Sequence, residues 1–105
     1  MKKLLLALII LVISIQADPM NDLVKSECVS QVYNKSDFNP LAYGYMMGVI
    51  DGIITTQGMN KMNSWSSNVT YIEIMKKTCK QVLKKDLNIM FYLQYRNTAY
   101  DVMYK

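Results

Sequence analysis

The chain has 105 residues, two cysteines, no histidine and a formal net charge of +4. A chain of this length holds one small domain at most, and the lack of histidine removes the usual acid–base and metal-binding side chain. Its eight carboxylates are scattered singly, and it contains no glycine-rich phosphate loop or nucleophile elbow. We therefore predict a protein that is not an enzyme and that needs no cofactor or metal ion.

Residues 1–17 have the pattern of a secretory signal peptide. Lys2 and Lys3 precede a run of twelve apolar or serine residues, 4–15, and Ala17 offers a cleavage site. The run is shorter than the roughly 20 residues that a membrane-spanning helix needs. We therefore expect cleavage, with no membrane association afterwards, rather than a retained anchor.

Cleavage would leave a domain over residues 18–105, which we place in the periplasm. This part of the chain has 10 Lys and Arg against 8 Asp and Glu, a net charge of +2. Half of its basic residues lie between positions 76 and 85, and such a cluster can bind nucleic acid or an anionic membrane. On an exported chain we expect no nucleic-acid partner, and we interpret the cluster as the solvated face of a helix. The cluster consists of Lys76, Lys77, Lys80, Lys84 and Lys85.

The first helical segment runs from about Pro19 to Tyr33, with Asp18 as its N-cap and proline in its first turn. At 100° per residue, an apolar stripe passes through Val24, Cys28 and Val32. We therefore expect Cys28 to point into the core.

The second segment opens at Pro40, behind Asn39 as its N-cap, and continues to about Thr55. Its apolar arc covers nearly half of the helical wheel, which is typical of a helix buried on most sides or against a partner. Glycine recurs at every fourth position, a spacing that lets another backbone approach closely. We expect this glycine face to pack on a helix of the same chain, with a dimer interface as the alternative. The arc consists of Ala42, Tyr43, Met46, Met47, Val49, Ile50, Ile53 and Ile54, and the glycines are Gly44, Gly48 and Gly52.

Asp51 borders the glycine face of this apolar helix. We expect its side chain to face solvent or to be hydrogen-bonded. The alternative is a buried or interfacial carboxylate, whose protonation would alter packing. Because the chain has no histidine, an acid response must use carboxylates, which titrate at about pH 4 in model peptides. Asp51 is our first candidate for an acid sensor.

A polar break from Gly58 to Asn68, which contains Trp65, precedes the third segment. That segment begins near Thr70, where Thr70-Tyr71-Ile72-Glu73 fits a capping box. The fourth segment starts after Asp86 and reaches about Met103. Because the breaks are short and every segment has helical periodicity, we predict an all-α fold, a small single domain of about four helices.

Cys28 and Cys79 are the only cysteines, and each lies at the centre of an apolar helix face. An even number of cysteines in an exported chain indicates a disulfide bond, here between the first and third helices. Two free thiols or a metal pair are the alternatives, although two thiolates without histidine make a poor zinc site. The bond would close a loop of about 50 residues and stabilise the fold by about 4 kcal/mol.

The stretch from Cys28 to Pro40 reads Cys-x9-Phe-x-Pro and continues with Ala42 and Gly44-Tyr45. The stretch Ile72–Leu87 contains the second cysteine, with a leucine eight residues after it. Together with the signal peptide, the size and the helical pattern, this spacing resembles the HdeA/HdeB family of periplasmic acid-stress chaperones. The resemblance covers roughly residues 20–95.

The resemblance implies an all-α domain tied by a disulfide bond, a homodimer at neutral pH, and dissociation or loosening in acid. The released chain would bind acid-unfolded periplasmic proteins through apolar surface, as part of a stress response. Two departures limit the transfer. The mature chain is slightly basic with few carboxylates, and the Gly58–Asn68 loop is enlarged and contains Trp65, which has no obvious counterpart. Carried over by position, the client and dimer surface would come from Tyr43, Met46, Met47, Val49, Ile50 and Ile53.

A second resemblance lies in the same helix. Gly44, Tyr45, Gly48, Val49 and Asp51 match the Gly-Tyr-x-x-Gly-Val-x-Asp pattern of periplasmic immunity proteins that block type VI peptidoglycan amidases. Those proteins generally carry more than the two cysteines found here. An immunity protein would bind one enzyme at neutral pH, whereas a chaperone would bind many clients only in acid.

Overall fold

The computed structural model describes residues 20–33, 39–85 and 90–105. Every regular element in these ranges is helical, which confirms the predicted all-α fold. The predictions for the signal peptide and for the cap of the first helix fall on residues 1–19, outside the described ranges. The four α-helices are α1 over residues 20–33, α2 Pro40–Gln57, α3 Tyr71–Lys84 and α4 Phe91–Tyr104.

Helix α2 begins and ends at local signals in the sequence. The Asn39 side chain accepts a hydrogen bond from the Ala42 backbone N–H at 3.1 Å, so Asn39 is the N-cap as predicted. The helix ends at Gln57, two residues beyond the predicted Thr55. Gly58 follows with φ of +91° and donates its N–H to the Ile54 carbonyl at 2.8 Å. Glycine tolerates this backbone conformation, which is why the helix stops there.

Helices α3 and α4 begin in different ways. The predicted capping box of α3 is confirmed, because Thr70 Oγ1 accepts from the Glu73 N–H and the Glu73 carboxylate accepts from the Thr70 N–H. Helix α4 has no side-chain cap. It starts after Met90, which has φ of +56° and whose carbonyl accepts from the Leu93 N–H at 3.0 Å.

One core joins the four helices. Cys28 of α1 and Cys79 of α3 are disulfide-bonded, with their Cα atoms 4.9 Å apart, and both side chains are fully buried. The predicted disulfide bond is therefore confirmed. The α4 side of the core consists of Phe91, Tyr95, Ala99, Val102 and Met103.

The segment between α2 and α3 is anchored to the end of α4. It contains two short 3-10 helices, Met59–Lys61 and Ser66–Asn68. The Asn63 backbone N–H donates to the Met103 carbonyl at 2.8 Å, and the Asn63 side-chain amide donates to the Val102 carbonyl at 2.7 Å. These bonds occupy carbonyl groups that the last turn of a helix otherwise leaves without partners. We call this set of contacts the Asn63 clamp.

Among the described residues, no helix combines the length and apolar character needed to cross a bilayer.

Candidate functional site

Helix α2 packs on the core through a single stripe. Ala42, Met46, Ile50 and Ile54 repeat at every fourth position and are buried. Met46 and Ile50, which the resemblance placed on a client and dimer surface, are both 0% exposed. In the folded chain these two residues are therefore core residues and not part of a surface.

The other four residues of that predicted surface lie at the edges of the buried stripe. Tyr43, Met47, Val49 and Ile53 are half-buried and pack against the core while keeping part of their surface in solvent. This edge position leaves apolar atoms accessible on the folded protein.

The glycine face of α2 is open. Gly44, Gly48 and Gly52 are exposed, and a Cβ atom added at any of them would meet nothing within 4 Å beyond its immediate surroundings in the helix. The glycines lie two residues, about 200° of the helical wheel, from the buried stripe, which directs them away from the core. The expected packing of this face on another helix of the chain is therefore absent from the described residues.

A groove of about 670 Å³ runs beside the open face, between α2 and α4. It brings together two of the glycines and two of the edge residues that the sequence singled out, and α4 contributes polar and aromatic groups. These lining residues include Gly48, Val49, Gly52 and Ile53 of α2, and Arg96 and Tyr100 of α4.

Tyr45 also lines this groove, and its hydroxyl stays protonated at neutral pH. Burial raises the pKa of the Tyr45 hydroxyl, the neighbouring Tyr92 raises it further, and Arg96 lowers it. The two rings meet edge to face with their centroids 6.4 Å apart. The groove therefore offers a neutral hydroxyl and a guanidinium beside apolar surface.

Asp51 is exposed on α2 next to Gly52. Its backbone carbonyl accepts a hydrogen bond from the Thr55 hydroxyl at 2.8 Å. The alternative in which Asp51 is buried within its own chain therefore does not hold.

Glu27 of α1 is a buried carboxylate for which the sequence predicted no role. It is 0% exposed, and its two oxygens accept hydrogen bonds from the Gln31 side-chain amide and from the Asn39 backbone N–H, both at 2.9 Å. Because Asn39 caps α2, Glu27 joins α1 to the start of α2, where the helix dipole favours negative charge. The signal for this role was its position three residues after Val24, beside the apolar stripe of α1.

Within the described ranges, no group of three or more His, Cys, Asp or Glu side chains is placed to hold a metal ion. No family model, curated protein or solved structure matches the chain.

Proposed function

We propose that this protein is a periplasmic chaperone that loosens in acid and binds unfolding proteins through the apolar residues of α2. The observation that carries the proposal is the buried Glu27 carboxylate, which fastens α1 to the beginning of α2. The strength of this hydrogen bond depends on the charge of the Glu27 side chain. The bond also helps to hold α2, the helix that carries the predicted client surface, against α1.

This link depends on charge. The Glu27 carboxylate accepts a charge-assisted hydrogen bond from the Asn39 N–H, and the bond is weaker when the charge is removed. Protonating all eight carboxylates also raises the side-chain charge of residues 18–105 from +2 to +10. The resulting repulsion opposes the compact state. Both effects favour loosening of α2 from the rest of the domain, and such loosening would uncover Met46 and Ile50. We therefore propose Glu27, rather than the exposed Asp51, as the acid sensor.

At neutral pH, we propose that a second copy of the chain covers the open face of α2. Glycine at every fourth position allows the backbones of two helices to approach closely. The half-buried Val49 and Ile53 beside those glycines supply apolar area for the same contact. The homodimer and the chaperone surface would then share one helix, so that dissociation and client binding are coupled.

An aggregation assay tests the proposal. The protein without residues 1–17 is mixed with an unrelated globular enzyme, and light scattering is followed at pH 2.5 and at pH 7. We expect suppression of scattering at pH 2.5 only, because only the loosened form presents the apolar residues of α2. Equal scattering with and without the protein at pH 2.5 would contradict the chaperone function.

The immunity function is the second candidate, and the open groove favours it. Tyr45, Gly48 and Val49, which belong to the matching motif, line the groove between α2 and α4 in the folded state. A single enzyme could dock there without any loosening of the domain. Tight binding of one peptidoglycan amidase at pH 7 that is lost in Gly48→Trp, together with no activity in the acid aggregation assay, would support this alternative.

A further inference from the structure

A second groove, of about 620 Å³, lies between α3 and α1 on a different part of the surface. Four exposed lysines of α3 line one side, and Gln31 and Val32 of α1 line the other. Trp65, from the segment that the Asn63 clamp holds, adds an aromatic ring. A solvated helix face would explain why the lysines are exposed. It would not explain why α1 forms a second wall of the groove opposite them. We call this the lysine groove, and its lysines are Lys76, Lys77, Lys80 and Lys84.

The positive charge of the lysine groove has no counter-charge in the described part of the chain. No carboxylate is among its lining residues, and the one ion pair within the described ranges joins Lys105 to Asp101 elsewhere. The nearest acids along the two helices are already engaged: Glu27 is buried with its own partners, and Glu73 belongs to the α3 capping box. Lysines four residues apart on a helix repel each other by a few tenths of a kcal/mol per pair. An anion in the groove would relieve this repulsion.

The cations of the groove are all lysines. Their ammonium groups act as compact point charges, and lysine is a common phosphate-binding residue in proteins. Lys76, Lys80 and Lys84 follow one another at intervals of about 6 Å along the helix axis. Such a row matches several phosphate groups on one molecule better than a single ion.

We propose that the lysine groove binds a dissolved ligand that carries several phosphate groups. The groove is concave, and a flat bilayer would reach its rim but not the wall formed by Gln31 and Val32. A narrow polyanion can contact the lysines and that wall together. This site is separate from the α2 face and operates in the folded protein at neutral pH.

Trp65 provides a direct reporter of binding. It is the only tryptophan of the chain, and the Lys77 ammonium lies 3.9 Å from the centroid of its ring. A phosphate that draws this ammonium away changes the surroundings of the indole, because the cation contacts the face of the ring. The tryptophan emission of the unlabelled protein, excited where tyrosine does not absorb, therefore reports on the surroundings of Trp65 in the groove.

The experiment is a titration of the folded protein with sodium tripolyphosphate at pH 7 and low salt, followed by Trp65 emission. We expect a saturable change that weakens as salt is added, because the contacts are exposed and ionic. Lys80→Gln should weaken binding by about fivefold, and Lys80→Gln/Lys84→Gln further, since each exposed charge contact contributes up to about 1 kcal/mol. Lys61→Gln is the matched control, because Lys61 is exposed outside the groove and loses the same charge, and it should change binding less than twofold.

Four results would overturn the proposal. The first is the absence of a saturable change with tripolyphosphate. The second is equal weakening by Lys61→Gln and Lys80→Gln, which would show general charge attraction. The third is binding of citrate as tight as that of tripolyphosphate. The fourth is a Trp65 response to phosphatidylglycerol–phosphatidylcholine vesicles but not to tripolyphosphate, which would identify a membrane surface as the partner.

Discussion

Tyr95 combines complete burial with a polar contact at the centre of the domain. Its side chain is 0% exposed, and its hydroxyl donates to the Met46 carbonyl of α2 at 3.0 Å. Burial raises the pKa of this hydroxyl far above the ordinary value of 10.0, and the neighbouring Tyr45 raises it further. The folded state therefore keeps a proton that the unfolded chain releases above about pH 10. The contribution of the Tyr95 hydroxyl to the unfolding free energy is therefore complete below about pH 10, and it is lost as the pH rises.

We predict that Tyr95→Phe removes part of the alkaline sensitivity of the fold. The wild type should lose up to about 1.4 kcal/mol of unfolding free energy per pH unit above pH 10 through this group. The variant should be about 1 kcal/mol less stable at pH 8, because it lacks the hydrogen bond. Urea unfolding at pH 8 and pH 11.5 measures both effects. Tyr33→Phe is the control, since Tyr33 is 65% exposed, and an identical alkaline loss in Tyr95→Phe and wild type would contradict the assignment.

Glu27 gives a second prediction at the scale of one residue. Glu27→Gln removes the charge and places an amide donor group in a site built for an acceptor, so it should lower the unfolding free energy at pH 7 by about 2 kcal/mol. It should also increase the binding of a hydrophobic dye at neutral pH, because α2 is less firmly held. Asp51→Asn, the same kind of change at an exposed position, should alter neither property. If Asp51→Asn increases dye binding and Glu27→Gln does not, the acid sensor is Asp51.

One side of helix α2 is buried in the core, and the opposite glycine face is open. Adding a methyl group by a Gly→Ala substitution tests this difference. Alanine is favoured over glycine inside a helix by about 1 kcal/mol, and nothing beyond the immediate helix surroundings obstructs a Cβ atom at Gly48. We therefore predict that Gly48→Ala raises the thermal stability of the monomer at low protein concentration and weakens the proposed dimer. Unfolding scans and sedimentation at several concentrations measure the two effects. Gly58→Ala should instead destabilise the fold, because Gly58 has φ of +91°.

The helices were easier to predict than the surfaces that they present. The caps at Asn39 and at Thr70 with Glu73 are local signals, and the two cysteines each lie on a narrow apolar stripe, so the sequence was sufficient for them. The arc of α2 is apolar over nearly half of the wheel, and periodicity could not determine which stripe enters the core. The resemblance, and not periodicity, placed Met46 and Ile50 on a surface, although both are fully buried in the folded chain.

For Glu27 and the lysine groove, the sequence showed the residues but not the distant groups that they meet in the fold. Glu27 is satisfied by an N–H group twelve residues away, which reaches it only in the folded chain. The lysine cluster was visible as a charged helix face. The opposing wall from α1 and the ring of Trp65 depend on how the helices pack and on the Asn63 clamp.

At the scale of the whole molecule, the disulfide bond joins two parts of a small domain that are 51 residues apart in the chain. In the chain-entropy model, a loop of this length corresponds to about 4 kcal/mol, a large share of the roughly 5–15 kcal/mol that stabilises a typical domain. We predict that Cys28→Ser/Cys79→Ser lowers the unfolding free energy by about this amount, as measured by urea unfolding at 25 °C. Unchanged stability of the double variant, or two free thiols found by mass spectrometry in protein purified without a reductant, would contradict this role.

The Asn63 clamp has a consequence for local opening of the protein. Loops usually fluctuate independently of the helices beside them, and their amide hydrogens exchange quickly with water. Here the backbone N–H of Asn63 donates a hydrogen bond to the Met103 carbonyl, and the Ser66 hydroxyl donates to the same carbonyl at 2.9 Å. Breaking these bonds exposes the buried end of α4, so the loop and the helix open as one cooperative unit. The Asn63 amide hydrogen will therefore exchange on the slow timescale of the α4 core although it belongs to a connecting segment.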